Sequence, residues 1–257
     1  MKISVIMAAY NSGATIGPAI RSFLAQDHPD KELIVVDGAS QDQTAAVVAA
    51  LASPDIRFHS EPDKGIYDAL NKGIARATGE VIGILHTDDL FAHDHVLTRV
   101  AAAFETPGSD GVYGDLEYVA RDNPARVIRY WRSGHYRPDL LRRGWMPPHP
   151  TLFLRREVFE RHGSYDTSFR IAADFEAILR WLVRARLNFD YIPEVLVRMR
   201  VGGESNRSLG RILRKSREDL RAIRRHEIGG VMVLLSKNFG KLGQFIRRAD
   251  PPADTRM

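Results

Sequence analysis

The chain has 257 residues, 44% of them hydrophobic and 27% charged, with a formal net charge of +5 and no cysteine. That length suits one large domain, or a domain with an extension, and the missing cysteines exclude disulfides, thiolate metal sites and cysteine nucleophiles. No apolar run approaches the roughly 18 residues of a membrane span, and the opening Met1-Lys2-Ile3-Ser4-Val5-Ile6-Met7 reads as a short strand and not as a signal peptide.

Taken in order, the pattern predicts a strand over 3–7, a helix over 15–25, a strand over 32–36, a helix over 44–51 and a short strand over 56–58. A helix over 66–77 and a strand over 81–85 complete it. This alternation predicts an α/β fold, a doubly wound, mostly parallel sheet flanked by helices. Asn11-Ser12-Gly13, Asp37-Gly38 and Asp63-Lys64-Gly65 supply turn chemistry. The tips after the first, second and fourth strands would line one crevice, the place where open α/β sheets bind ligands. Directly after the fourth strand stand His86, Thr87, Asp88 and Asp89. The two acids either cap a helix starting near His93 or hold a divalent cation and a polar ligand.

Beyond Gly111 the pattern loosens, with strands expected over 112–115, 117–119 and 127–130. The loop Met146-Pro147-Pro148-His149-Pro150 follows, then helices over 155–162 and 175–186. Asp174 stands where the second of these begins, as an N-cap or as a free carboxylate behind two small residues.

The charge is uneven. Between Arg207 and Arg248 twelve Lys and Arg face three acids, Glu218, Asp219 and Glu227. Leu235, Phe239, Leu242 and Ile246 fall on one helical stripe, with Lys237, Lys241, Gln244 and Arg248 nearly opposite, and Arg211, Arg214, Lys215, Arg217, Arg221, Arg224 and Arg225 crowd the segment before it. The expectation is a division into a domain over 1–206 and a basic helical tail over 207–257. The tail either lies on anionic lipid or packs on protein. No recognised module supports nucleic-acid binding. The expected location is cytoplasmic, peripheral on the inner face of the membrane, and a homo-oligomer is compatible with the sequence.

Four ordered segments carry a resemblance: Ala8-Ala9-Tyr10-Asn11-Ser12, Ile34-Val35-Val36-Asp37-Gly38-Ala39-Ser40-Gln41-Asp42-Gln43-Thr44, the stretch from Ser60 through Asp63-Lys64-Gly65-Ile66-Tyr67 to Gly73, and His86-Thr87-Asp88-Asp89. Together they resemble the family 2 glycosyltransferases of the GT-A fold over residues 1–205, in the form of the bacterial branch that builds extracellular polysaccharide and O-antigen units.

The resemblance implies an inverting, metal-dependent transfer of one sugar from a nucleotide-diphosphate sugar, expected to be uridine-linked, to a saccharide acceptor on a polyprenyl diphosphate. It places Ala8, Tyr10, Asn11, Asp37, Lys64 and Asp88 against the nucleotide sugar. Asp89, with Asp88, would hold Mg²⁺ or Mn²⁺, and Asp174 would be the general base, with Glu176 a weaker candidate. His149, Arg198 and Arg200 would touch acceptor or phosphate, the arginines in a mobile flap over 198–206. From the residues alone, the alternatives are a core aromatic for Tyr10, a turn acid for Asp37, a solvated lysine for Lys64 and a histidine satisfied in its loop for His149. The Gln-x-x-Arg-Trp signature of processive synthases is missing, since Leu179-Arg180-Trp181 falls inside the Asp174 helix. A sugar-phosphate nucleotidyltransferase and a non-catalytic membrane-associated carbohydrate-binding scaffold are the competing readings. The first usually needs more glycine than the one residue in Ala8–Gly13.

Overall fold

The structure, a computed structural model, describes residues 1–201 and 209–239. Strand β1 (Ile3–Ala9) is followed by α1 (Ile16–Leu24), β2 (Lys31–Asp37), α2 (Thr44–Ala50), β3 (Ile56–Ser60), α3 (Ile66–Arg76) and β4 (Val81–Ile84). These match the sequence expectation closely because apolar runs and turn residues mark the same boundaries. β1 pairs in parallel with β2 on one side and β4 on the other, and β2 pairs in parallel with β3.

The sheet continues with β5 (Asp89–Phe91), α4 (Val96–Ala103), β6 (Gly111–Val119), β7 (Val127–Trp131), α5 (Pro138–Leu141), β8 (Phe153–Arg155), α6 (Arg156–His162), α7 (Ala173–Leu179) and β9 (Phe189–Arg200). Its order is β3-β2-β1-β4-β8-β6-β9-β5, with β7 beside β6. β8 runs antiparallel between β4 and β6, and β5 runs antiparallel along the end of β9.

Side chains alternate across the strands and build a core on each face. Ile6, Ile34 and Val36 join Tyr67, Leu70 and Ile74 of α3 and Phe175, Ile178 and Trp181. Val5, Met7, Leu33 and Val35 join Ile16, Ile20 and Phe23 of α1 and Val96, Leu97 and Val100 of α4. β4 and β8 are keyed together by a close approach. A Cβ on Gly83 would fall 2.2 Å from Cε1 of Phe153, so only glycine lets that buried ring lie against the strand.

Three expectations are corrected. The strands expected over 112–115 and 117–119 are one strand, β6. The helix expected from 175 starts at Ala173 and changes to a π-helical turn over Arg180–Arg184, closed by Arg186 in the left-handed region at φ 55°. Arg198 and Arg200 belong to β9 and pair with β5 or β6, so they are not part of a flap; 202–206 of that segment lie outside the described residues.

α8 (Leu209–Arg225) and α9 (Val231–Phe239) lie against α7. Ala222 and Ile223 are fully buried, while Arg225 bonds Asp166 at 2.6 Å and Arg221 bonds the Ser168 side chain at 3.1 Å. Lys237, expected on a solvated stripe, is only 4% exposed, because its ammonium is neutralised by buried Asp219 at 2.7 Å. Leu235 does face outward, with Val231 and Met232. Residues 241–248 of the expected stripe lie outside the described residues. Among the described residues no helix is long and apolar enough to cross a membrane.

Candidate active site

β1 sits at the point where the chain reverses direction across the sheet, with β2 on one side and β4 on the other. The loops after these three strands form the crevice that this topology provides. Hydrogen bonds cross-link them. Asn11, in the left-handed region at φ 47°, donates its amide to Ser40 Oγ at 2.8 Å and accepts from the Gln41 amide at 3.0 Å. Ser12 and Gly13 donate their amides to Thr44 and Asp42, and Thr87 Oγ1 reaches Ser12 Oγ at 3.1 Å. Asn11 therefore acts here as a loop tie, with its side-chain oxygen already engaged.

Tyr10 is 65% exposed, which excludes a core role, and its ring lies beside the backbone of Gly38. A Cβ at Gly38 would come within 2.3 Å of Asp63 Oδ2 and 3.2 Å of the Tyr10 ring, so the missing side chain leaves a flat shelf. Buried Asp37 accepts from the Ser40 amide at 3.0 Å, from Ser40 Oγ, and from Ser60 Oγ at 2.7 Å. It organises the shelf and keeps part of its acceptor capacity. Ala8 is partly buried against the α3 side of the core. Lys64 is exposed at the lip, where its amide donates to Asp68 at 3.1 Å.

The acid pair is not a helix cap. α4 begins at Val96 after His95, and Asp89 starts strand β5 opposite Met199. Asp89 is 1% exposed, and neither of its carboxylate oxygens has a hydrogen-bond partner. Burial pushes this carboxyl well above the usual range and the charge of Asp88 adds to it, while Arg200 works the other way. An unpaired buried carboxylate is costly unless a cation meets it. Among the described residues no three His, Asp or Glu side chains converge into a cage. Two carboxylates with open coordination fit Mg²⁺ or Mn²⁺ shared with phosphate oxygens. Arg200 has a buried Nε without a partner, whereas Arg198 is committed to Glu117 at 3.1 Å.

Asp174 lies in the first turn of α7, after Ala172 in the capping position, and does not cap the helix. Tyr67 Oη contacts its Oδ1 at 3.2 Å. Burial raises the Asp174 carboxyl, but His149, Lys237 and the Phe175 amide outweigh it and hold the group below its ordinary value. Burial brings His149 down to about 4. It is therefore neutral near pH 7, sharing a 2.8 Å hydrogen bond with Tyr165, and Lys237 is the cation that persists beside Asp174. His86, lowered by burial, feels the charges of both Asp88 and Asp174, and its ring centroid is 6.1 Å from that of His149. One imidazole thus senses Asp88 and Asp174 together. Glu176 is fully buried and bonded to His226 at 2.9 Å and Arg180 at 3.3 Å, so it braces the helix.

Tyr67, His86 and Tyr165 were not singled out as site residues from the sequence. Tyr67 reads as one more apolar position on the stripe of α3 with Leu70 and Ile74; the signal was a hydroxyl on that stripe.

A family model described as "Glycosyl transferase family 2" matches residues 4–163. A PGL/p-HBAD biosynthesis glycosyltransferase of Mycobacterium tuberculosis (strain H37Rv) is 32% identical over 208 residues, covering 79% of this chain and 78% of that protein. An uncharacterized glycosyltransferase of Nostoc sp. is 35% identical over 185 residues, covering 68% and 57%. Among solved structures, S. aureus TarS superposes with a TM-score of 0.67 at 17% identity, over 98% of this chain and 76% of that one. A mannosyltransferase from Pyrobaculum calidifontis, in complex with GDP-Man and Mn²⁺, gives 0.66 at 19% identity, over 97% and 76%. The shared architecture is the GT-A fold expected from the sequence.

Proposed function

The chain belongs to glycosyl transferase family 2 and is a glycosyltransferase, and we propose that it moves one sugar, with inversion, from a uridine-diphosphate sugar to a saccharide on a polyprenyl diphosphate during cell-surface polysaccharide synthesis. The observation that carries this reading is a run of contacts from the acid-pair loop to Asp174: the His86 ring lies 6.1 Å from that of His149, His149 bonds Tyr165 at 2.8 Å, the Tyr165 ring lies 5.6 Å from that of Tyr67, and Tyr67 Oη meets Asp174 at 3.2 Å. TarS is described in complex with UDP-GlcNAc and the archaeal mannosyltransferase with GDP-Man and Mn²⁺, which supports a nucleotide-sugar donor here.

In this reading the base stacks on Tyr10 and donates an N–H to Asp37, with Ala8, Asn11 and Lys64 around the nucleotide and Asp88 towards the ribose. Ionised Asp174 accepts the proton of the acceptor hydroxyl. The hydroxyl oxygen bonds to the anomeric carbon as the bond from that carbon to the diphosphate breaks, so a single base opposite the leaving group gives inversion. Asp89 and Asp88 would hold Mg²⁺ or Mn²⁺, which as a Lewis acid neutralises charge on the departing diphosphate. Arg200 meets phosphate, and neutral His149 contacts the acceptor. Arg214, Arg217 and Arg224 of α8, with Ile212, Leu213 and Met232 exposed on α8 and α9, dock the protein on the anionic inner leaflet that presents such an acceptor.

Calorimetry with UDP and GDP, with and without Mn²⁺, tests the donor side. Binding that strengthens with Mn²⁺ is expected, and absence of binding to either nucleotide rejects the reading.

A further inference from the structure

Two consecutive carboxylates of α8 grip the segment that carries Asp174. Oε2 of Glu218 accepts from the amides of Ile171 at 2.8 Å and Ala172 at 3.0 Å. These residues lead into α7, whose capping residue Ala172 has no side-chain acceptor of its own. Glu218 thus supplies from another element what the third-position acid of a capping box supplies locally, an acceptor for the amide of the capping residue. The carbonyl of Ile171 is held from the opposite side by Tyr67 Oη at 2.8 Å. Asp219, the next residue of α8, binds Lys237, whose ammonium lies 3.3 Å from the ring centroid of Phe175, the residue after Asp174. Ile171 and Ala172 before Asp174 and Phe175 after it are therefore held from α8, α9 and α3.

We propose that Glu218 is a positioning residue for glycosyl transfer: by holding the Ile171–Ala172 turn it aims the Asp174 carboxylate at the acceptor hydroxyl. This rests on Asp174 being the base. A small misplacement of a catalytic group costs up to about 100-fold in rate without touching binding. The effect belongs in kcat, because Glu218 contacts neither the shelf at Tyr10 nor the acid pair. Glutamine at this position still offers a carbonyl oxygen to the same two amides.

The test compares the full-length wild type with Glu218→Ala, Glu218→Gln and Asp174→Asn. Expected for Glu218→Ala is a kcat loss of about 100-fold with the donor KM changed less than about twofold, together with faster hydrogen exchange at the Ile171 and Ala172 amides. Glu218→Gln recovers most of the rate and the protection. Wild-type kcat in Glu218→Ala while Asp174→Asn is inactive overturns the positioning role alone, as does a glutamine variant that keeps the protection but not the rate. Transfer retained by Asp174→Asn rejects the base assignment and removes this proposal with it. Should the alanine variant not fold, the glutamine variant and the exchange of its two amides decide.

Discussion

The phenolic hydroxyl of Tyr67 and the carboxylate of Asp174 meet at 3.2 Å across 107 residues of sequence. Burial, and then the charge of Asp174, push the Tyr67 hydroxyl well above its ordinary value, so it remains a donor throughout the working range. Tyr67→Phe keeps the ring, which packs 5.6 Å from that of Tyr165, and removes the one phenolic proton shared between the Ile171 carbonyl at 2.8 Å and the Asp174 carboxylate at 3.2 Å. A hydrogen bond to a charged group contributes about 1.5–3 kcal/mol. The expected result is a fall of about tenfold or more in kcat with nucleotide affinity unchanged, measured by initial rates and calorimetry. An unaltered kcat removes Tyr67 from the proposed machinery.

Asp89 gives a second prediction, in stability as well as activity. Burial raises its carboxyl in the folded state well above the ordinary aspartate value of 3.8, so the native protein holds a proton that the unfolded chain releases. The stabilisation this gives is present at low pH and is lost as pH rises through the native value. Without divalent cation, Asp89→Asn should therefore melt higher than wild type at pH 8 and close to it at pH 4, while losing Mn²⁺-dependent nucleotide binding. A variant that melts lower at pH 8 contradicts the unpaired carboxylate.

His149 acts at the acid end. Its native value of about 4 lies below the ordinary 6.5 of histidine. Unfolding thus takes up a proton between those limits, and its contribution, roughly 3 kcal/mol, is present above pH 6.5 and lost as pH falls towards 4. Urea midpoints of wild type should drop between pH 7 and pH 5 more steeply than those of His149→Gln. His86, lowered in the same direction, leaves a residual slope in the variant. Equal slopes refute the assignment.

The outward residues of α8 and α9 permit a clean test of membrane docking. Leu213 is 62% exposed and Met232 75% exposed, so replacing both with Asp removes little packing. The double variant should keep the wild-type melting temperature and lose flotation with phosphatidylglycerol vesicles. Unchanged flotation argues that this surface does not meet lipid.

The sheet that places the crevice loops was legible because β1, β2 and β4 are apolar runs bounded by Asn, Asp and Gly. β5 and β8 were not. Each has three residues, too few for any periodicity, and each exists through pairing with strands distant in sequence, β9 at Asp89↔Met199 and β6 at Val112↔Phe153. The Asp88-Asp89 motif was visible, but the isolation of Asp89 depends on that pairing. Glu218 counted only as a charge in a basic tail; its partners are two amides 47 and 46 residues away. Lys237 sat in a periodic pattern, and Asp219 turns that one side chain inward.

The contact between Gly83 and Phe153 has a reach beyond packing. β4 leads through His86 to Asp88 and Asp89, and β8 follows the loop of His149. One absent methyl group interlocks the two, so neither half of the crevice slides along the other. In the proposed reading the two loops can then differ in sequence while the spacing between Asp88 and His149 is inherited unchanged. Gly83→Ala would disturb that inheritance at its root, though residue 83 itself touches neither substrate loop's chemistry.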